Sequence, residues 1–127
     1  MMQQARILIV DDAATVRLYH RTILEEAGFA VEEAVNGIEA LERALLQPFD
    51  LYLVDINMPK LDGYGFLREL RGQDLPQVPA IMISTEAKSQ DQHLAYIAGA
   101  NYYLIKPIKP RELILACRIL LGYGGSA

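Results

Sequence analysis

The sequence has few of the features that would place it in a specialised class of protein. It contains one cysteine, Cys117, and no tryptophan among its 127 residues. A single cysteine excludes an intrachain disulfide and a cysteine zinc cluster, so we expect Cys117 to be a small core residue. No apolar run approaches the roughly 18 residues that a membrane span needs, and residues 1–10 show no signal-peptide pattern. These features predict a cytoplasmic protein.

An excess of basic charge is also absent. Twelve Lys and Arg against sixteen Asp and Glu give a net charge of −4. This balance gives no electrostatic reason to expect nucleic acid or an anionic membrane as a direct ligand. A length of 127 residues suits one domain with its own core. We therefore expect a single domain over 1–127, with a core at about 5–121 and a flexible glycine-rich tail at 122–127.

Short apolar runs, typical of buried strands, alternate five times with segments of helical periodicity. The predicted strands cover residues 6–10, 29–34, 51–54, 80–83 and 102–105. The predicted helices cover residues 14–27, 38–46, 63–71, 89–98 and 110–121. In the second helix Ile38, Leu41 and Leu45 form an apolar stripe that we expect to face the core. The alternation predicts an α/β fold, with a parallel sheet covered by helices on both faces.

Polar residues follow four of the five predicted strands, namely Asp11-Asp12, Asp55, Ser84 and Lys106. In a doubly wound sheet of order 2-1-3-4-5, the functional crevice lies between strands one and three. The three carboxylates would converge there, with Ser84 and Lys106 beside them. Singly, an Asp pair before a helix is usually an N-cap, and the others are ordinary turn or surface residues. If all of these residues had only capping, turn or surface roles, their occurrence at four strand ends of one sheet would require four coincidences. We therefore interpret the set as a functional site.

Along nearly its full length the chain resembles the receiver domain of two-component response regulators, which has a flavodoxin-like fold. The matching residues are Asp11-Asp12, Asp55, Met58-Pro59, Asp62-Gly63, Ser84 and Lys106-Pro107. The strand order 2-1-3-4-5 is taken from this family. The resemblance implies a phosphorylation-activated signalling switch that receives its phosphoryl group from a sensor histidine kinase. Such a domain is not an enzyme in the usual sense, because it catalyses only its own phosphorylation and dephosphorylation.

The resemblance also assigns roles at the crevice. Asp55 would be the nucleophile that forms an acyl phosphate. Asp12 and Asp55 would bind Mg²⁺ directly, Asp11 mainly through water, and Asn57 through its backbone carbonyl. Clustered carboxylates call for a cation or raised pKa values, and a few oxygen ligands suit Mg²⁺. Lys106 would neutralise phosphoryl oxygens, so that catalysis is mostly positioning and charge neutralisation.

Further roles concern switching and lifetime. Ser84, with Thr85 beside it, would bind a phosphoryl oxygen and pull its loop inward. Tyr103 would turn inward in response and carry the change to a protein-binding face made by the fourth helix, fifth strand and fifth helix. Asn57 and Glu86 would flank the path of an attacking water. The acidic Glu86 leads us to expect a short-lived phosphoryl state.

Rival classes fit the sequence less well. A phosphatase of the haloacid dehalogenase type needs a second Asp two residues after the first, where this chain has Ala13. A flavodoxin needs a phosphate loop rich in Ser, Thr and Gly after strand one, where Asp11-Asp12 would repel the FMN phosphate. A phosphorylation-independent binding module should lack one of the key residues, and this chain lacks none. His20 and His93 have no metal-ligating partners at suitable spacing, so we expect both to be polar surface residues.

The output remains open between two alternatives. No DNA-binding or enzymatic sequence follows residue 121, which favours a stand-alone, chemotaxis-type regulator that is a monomer or weak dimer. The other alternative is a receiver excised from a multidomain transcriptional or enzymatic regulator. Receivers of winged-helix regulators usually carry two acidic residues after the Gly-Ala before strand five, for dimer salt bridges. Here Gly99-Ala100 is followed by Asn101-Tyr102, which weighs against that dimer.

Overall fold

Five strands alternate with five helices in the computed structural model, which describes residues 4–122. The strands are β1 (Arg6–Val10), β2 (Ala30–Ala34), β3 (Leu51–Asp55), β4 (Ala80–Ser84) and β5 (Tyr102–Ile105). The helices are α1 (Ala14–Glu26), α2 (Gly37–Leu46), α3 (Gly63–Arg71), α4 (Ser89–Ala98) and α5 (Pro110–Leu120). Each predicted boundary is met within one residue. The predicted tail lies, from residue 123 onward, outside the described residues. None of the described helices is long and apolar enough to cross a membrane.

All five strands are parallel, in the order β2-β1-β3-β4-β5. This confirms the predicted doubly wound sheet. Val10 pairs with Val54, Asp55 with Ile83, and Ser84 with the last residue of β5. The carboxyl ends of β1, β3, β4 and β5 are therefore nearly level. The side on which the chain adds successive strands to the sheet changes at β1. In folds of this kind the crevice forms at that reversal.

The core forms two layers, one on each face of the sheet. Alternate residues of a strand point to opposite faces, so Leu51 and Leu53 of β3 pack against α1 and α5, while Tyr52 and Val54 pack against α2, α3 and α4. All five residues of β3 are buried, as expected for a strand covered on both faces. Cys117 is fully buried in the α1–α5 layer, as predicted.

The predicted apolar stripe of α2 is partly buried at Leu41, which packs against the core, but the prediction was wrong for its other two residues. Ile38 and Leu45 are 46% and 51% exposed, and the buried residues of the helix are Gly37 and two alanines, Ala40 and Ala44. A Cβ on Gly37 would lie 2.5 Å from the carbonyl oxygen of Leu61. The helix approaches the loop before α3 closely at Gly37, and Ile38 and Leu45 lie on its exposed side while Leu41 is partly buried against the core.

The prediction that His20 lies on the surface was also wrong, because its side chain is only 2% exposed. It belongs to the inner side of α1, beside Tyr19, with ring centroids 5.5 Å apart. Burial lowers the pKa of His20, although the nearby Asp11 carboxylate acts in the opposite direction. The prediction was based on the absence of metal-ligating partners for His20 in the sequence, and that absence does not indicate whether the side chain is buried. His93 is exposed, as predicted.

Candidate functional site

Three carboxylates meet at the carboxyl ends of β1 and β3. Oxygen atoms of Asp11, Asp12 and Asp55 all lie within 4.8 Å of one another. Asp55 is the last residue of β3 and is 6% exposed, and Asp11 follows β1 directly and is fully buried. Asp12 is exposed at the mouth of the crevice. The cluster that the strand-end pattern predicted is thus present, with its open side at Asp12.

Lys106 lies between two of these carboxylates. Its Nζ is 2.9 Å from Asp55 Oδ1 and 3.1 Å from Asp11 Oδ2. Its backbone N–H donates to the carbonyl oxygen of Ser84, at 2.8 Å, which fixes the end of β5 against β4. The ammonium group offsets part of the negative charge and leaves an anionic crevice.

Burial and charge act against each other on the pKa values of this pair. Burial raises the pKa of Asp55, against the hydrogen bond from Lys106, and the Asp11 charge raises it further. Burial by itself lowers the pKa of Lys106, but the hydrogen bond to Asp55 and the charge of Asp11 leave that pKa raised overall. At neutral pH the lysine is therefore held in its charged form.

Asp11 differs from Asp12 in how many of its carboxylate oxygens are hydrogen-bonded by the protein. The Ala13 N–H donates to Asp11 Oδ1 at 2.9 Å, and the Lys106 ammonium donates to Asp11 Oδ2. Both oxygens of Asp11 are therefore engaged by the chain itself. Asp12, by contrast, presents its carboxylate to solvent. This arrangement leaves Asp12 and Asp55 better placed than Asp11 for direct contact with a cation.

The donor set fits Mg²⁺. Three clustered carboxylates at an open-mouthed crevice supply hard oxygen ligands, and Mg²⁺ prefers a few carboxylates with water in its remaining positions. A divalent cation would also relieve the repulsion that Lys106 leaves uncompensated. Asn57, predicted to contribute its backbone carbonyl, is exposed in the loop two residues beyond Asp55.

The loop between β3 and α3 is shaped to bring α3 close to the acceptor strand. A Cβ on Gly63 would lie 2.4 Å from the carbonyl oxygen of Asp55, so only glycine permits this approach. The side chain of Asp62 accepts the backbone N–H three residues further on and caps α3. Lys60 has φ 69°, a left-handed conformation that tightens the turn. The resemblance pointed to Asp62-Gly63, and the close contact gives its physical reason.

The switch residues meet at the loop that follows β4. Ser84 is 1% exposed, and its Oγ accepts the backbone N–H of Glu86 at 3.1 Å. Tyr103 is 7% exposed, and its hydroxyl donates to the carbonyl oxygen of Glu86 at 2.8 Å. Burial raises the pKa of Tyr103. Both residues therefore hold the backbone of Glu86, whereas Thr85 and the Glu86 side chain are exposed.

No sequence pattern singled out Arg17 as part of this site. Its Nη1 donates to the backbone carbonyl oxygen of Asp11 at 2.7 Å. The only available signal was position, since Arg17 lies in the first turns of the helix that follows the Asp pair. A long helical side chain leans back over the turn that precedes it, which brings the guanidinium to the end of β1.

Comparison with known proteins agrees with this geometry. The family model described as the response regulator receiver domain matches residues 7–118. The transcriptional regulatory protein ResD of Bacillus subtilis is 36% identical over 118 residues, which are 93% of this chain and 48% of ResD. The probable transcriptional regulator ycf27 of Cyanidium caldarium is 40% identical over 111 residues, 87% of this chain and 44% of that protein. The chain thus spans about half the length of the curated relatives it matches.

Solved structures show the same fold. The chemotaxis protein CheY4 of Vibrio cholerae superposes with a TM-score of 0.88 at 32% identity, covering 93% of this chain and 99% of that one. The receiver domain of the sensor histidine kinase PA1611 from Pseudomonas aeruginosa gives a TM-score of 0.88 at 33% identity, covering 94% and 99%. That structure has a magnesium ion coordinated in its active-site cleft.

The doubly wound sheet and the lysine-bridged carboxylates at its reversal point define a CheY-like signalling domain. Domains of this class are switches rather than classical enzymes. The chain belongs to the response regulator receiver domain family of two-component systems.

Proposed function

We propose that Asp55 is the phosphoacceptor of this receiver, in a single domain formed by residues 1–127. The observation that carries the proposal is the position of the Asp55 carboxylate, at the end of a buried strand and 2.9 Å from the Lys106 ammonium. A carboxylate oxygen of Asp55 attacks the phosphorus of a phosphohistidine on a sensor histidine kinase. The P–O bond forms as the P–N bond breaks, and the imidazole leaves and takes up a proton from solvent. The protein's part is positioning and charge neutralisation.

Asp12 and Asp55 would hold a Mg²⁺ ion directly, Asp11 mainly through water and Asn57 through its backbone carbonyl. When bound, it neutralises charge on the phosphoryl oxygens. The three carboxylates within 4.8 Å support this ligand set, as does the magnesium ion in the receiver of PA1611. Lys106 adds a positive charge 2.9 Å from Asp55 Oδ1.

The switch begins at Ser84 and Thr85, whose hydroxyls compete for the new phosphoryl oxygens. Ser84 Oγ now accepts the N–H of Glu86, so turning toward the phosphoryl group breaks that bond and shifts the loop. Tyr103 holds the carbonyl of the same residue and moves with it. A charge change at Asp55 thereby alters the packing of β5 against α4.

The readout face lies on α4, β5 and α5. It carries exposed apolar side chains, 44% to 67% accessible, which are Leu94, Ile97, Tyr102, Leu115 and Ile119. Such a patch fits a protein partner, and nothing in the charge balance favours nucleic acid or membrane. The output is a chemotaxis-type, cytoplasmic interaction made by a monomer or weak dimer, in keeping with the likeness to CheY4.

Glu86 and Asn57 set the lifetime of the phosphoryl group by guiding an attacking water. Both side chains are exposed at the rim of the site. Glu86→Ala is expected to slow the decay of phosphorylated protein, measured after removal of the phosphodonor. Glu69→Ala, an exposed change on α3, is the matched control. An unchanged decay rate in Glu86→Ala contradicts this role.

The phosphoacceptor is tested by intact-mass spectrometry after incubation with acetyl phosphate, with and without Mg²⁺. Wild type is expected to gain one Mg²⁺-dependent phosphoryl group, and Asp55→Asn none. Asp74→Asn makes the same change in an exposed loop and should behave as wild type. An equal adduct on Asp55→Asn would refute the assignment. No adduct on any protein would indicate a phosphorylation-independent binding module.

A further inference from the structure

Arg17 connects the loop of residues 11–13 to β2, at the edge of the sheet. Its Nη1 donates to the carbonyl oxygen of Asp11 at 2.7 Å, and its Nε donates to Glu33 Oε1 at 2.8 Å. The arginine side chain is only 14% exposed. A guanidinium group has fixed, planar donors, so these two contacts together define where the carbonyl of Asp11 lies.

The anchor at Glu33 is itself held firmly. Glu33 belongs to β2, and its second carboxylate oxygen, Oε2, accepts Arg21 Nη1 at 2.6 Å. Arg17 and Arg21 lie one turn apart on α1, so a single carboxylate ties two successive turns of that helix to the sheet. Only Arg17 continues the connection to the end of β1.

We propose that Arg17 is a positioning residue for cation binding, which holds the loop of residues 11–13 so that Asp11 and Asp12 face Asp55. The inference rests on the Mg²⁺ site proposed above. Residues outside the ligand set commonly fix the orientation of ligands in this way, and their loss typically weakens metal affinity by about 10- to 100-fold. Arg17 acts on the backbone of the loop, through the carbonyl oxygen of Asp11.

Simple electrostatics predicts the opposite change in Mg²⁺ affinity when Arg17 is replaced, which makes the inference testable. Arg17 is a cation near an anionic crevice, so removing its charge should strengthen the attraction for Mg²⁺. Loss of loop positioning should instead weaken binding. Arg21 carries the same charge on the same helix and contacts the same carboxylate, and is not bonded to the loop. It therefore reports the loss of one positive charge and of one Glu33 contact without the loss of a bond to the loop.

The experiment is calorimetric titration of the full chain with MgCl₂, comparing wild type with Arg17→Met, Arg17→Lys, Arg21→Met and Asp12→Asn. Arg17→Met is expected to raise the Kd for Mg²⁺ about 10-fold or more. Arg17→Lys should recover part of the affinity, because lysine keeps a donor but lacks the fork. Arg21→Met should bind as tightly as wild type or slightly more tightly. Circular dichroism in EDTA verifies that each variant is folded.

The outcomes separate the inference from the site on which it rests. If Asp12→Asn binds Mg²⁺ like wild type, the proposed metal site falls, and the role of Arg17 with it. If Asp12→Asn loses binding but Arg17→Met matches Arg21→Met, only the role of Arg17 is refuted. Should Arg17→Met fail to fold, Arg17→Lys and Glu33→Gln take its place, and a Kd equal to that of Arg21→Met in both would overturn the inference.

Discussion

The carboxylate cluster should cost the metal-free protein stability, and Asp12→Asn measures that cost. At 4.8 Å, the upper limit of the spacing in this cluster, two like charges repel by about 0.9 kcal/mol in water and about 3.5 kcal/mol at an effective dielectric near 20. Asp12 is exposed, so the lower figure applies to each pair. It lies near two carboxylates, and the Lys106 ammonium that contacts both of them offsets one negative charge. The substitution should therefore raise the free energy of unfolding by about 1 kcal/mol.

Magnesium should reverse this order of stability. A ligand that binds only the folded state stabilises it by about 2.7 kcal/mol at 100 times its Kd. Wild type should gain this stabilisation, and Asp12→Asn should lose most of it because a direct ligand is missing. The variant is thus expected to be more stable than wild type in EDTA and less stable in saturating Mg²⁺.

Urea denaturation followed by far-ultraviolet circular dichroism provides the assay. With a denaturant slope of about 1–3 kcal/mol per molar, 1 kcal/mol shifts the midpoint by about 0.3–1 M. Asp74→Asn serves as the control for removing one exposed negative charge. The reasoning is refuted if Asp12→Asn in EDTA is no more stable than wild type, or if both proteins gain equally from Mg²⁺.

Two further predictions concern packing and pH. Gly63→Ala places a Cβ 2.4 Å from the Asp55 carbonyl oxygen and should destabilise the fold by about 1–3 kcal/mol or more in urea denaturation. Gly72→Ala is the control, because the nearest contact of its Cβ would be 3.5 Å away, and it should leave stability unchanged. Equal destabilisation by the two substitutions would contradict the account. Burial lowers the pKa of His20 from its ordinary value of 6.5, so the unfolded state binds more protons once the pH falls through 6.5, and stability decreases as the pH falls through and below that value. His20→Leu should flatten this dependence and His93→Leu should not; an unchanged slope in His20→Leu would be the contrary result.

Hydrophobic periodicity determined most of the fold. The run from Leu51 to Val54 is apolar at every position, which only a strand covered on both faces can accommodate, and the structure buries all of it. The polar residue at its end then had to lie at the carboxyl edge of the sheet. The strand order taken from the receiver family then placed Ser84 and Lys106 beside it, and the register of the strands agrees.

Periodicity failed where two faces of a helix were both apolar. In α2 the stripe of Ile38, Leu41 and Leu45 predicted the buried face, yet of these three only Leu41 packs against the core, and the buried residues are Gly37, Ala40 and Ala44. The spacing between elements selects small residues there, and a one-dimensional pattern contains no information on that spacing. For the same reason, sequence could not show that Lys106 would bridge two carboxylates.

Contacts of long side chains with the backbone could not be predicted from the sequence either. The bond from Arg17 to the Asp11 carbonyl depends on where the first turn of α1 lies relative to β1. It also depends on Glu33, which is distant in sequence and reaches Arg17 only after β2 pairs with β1. Such second-layer contacts follow from the assembled fold rather than from a local motif.

The most direct test of the central claim is the chemical location of the phosphoryl group. Borohydride reduces an aspartyl phosphate to homoserine, and tandem mass spectrometry of the digested protein then identifies the modified position. After incubation with acetyl phosphate and Mg²⁺, we predict homoserine at position 55 and unmodified aspartate at positions 11 and 12. Homoserine at 11 or 12, or a phosphoryl group retained on Ser84 or His20 with Asp55 unmodified, would contradict the account.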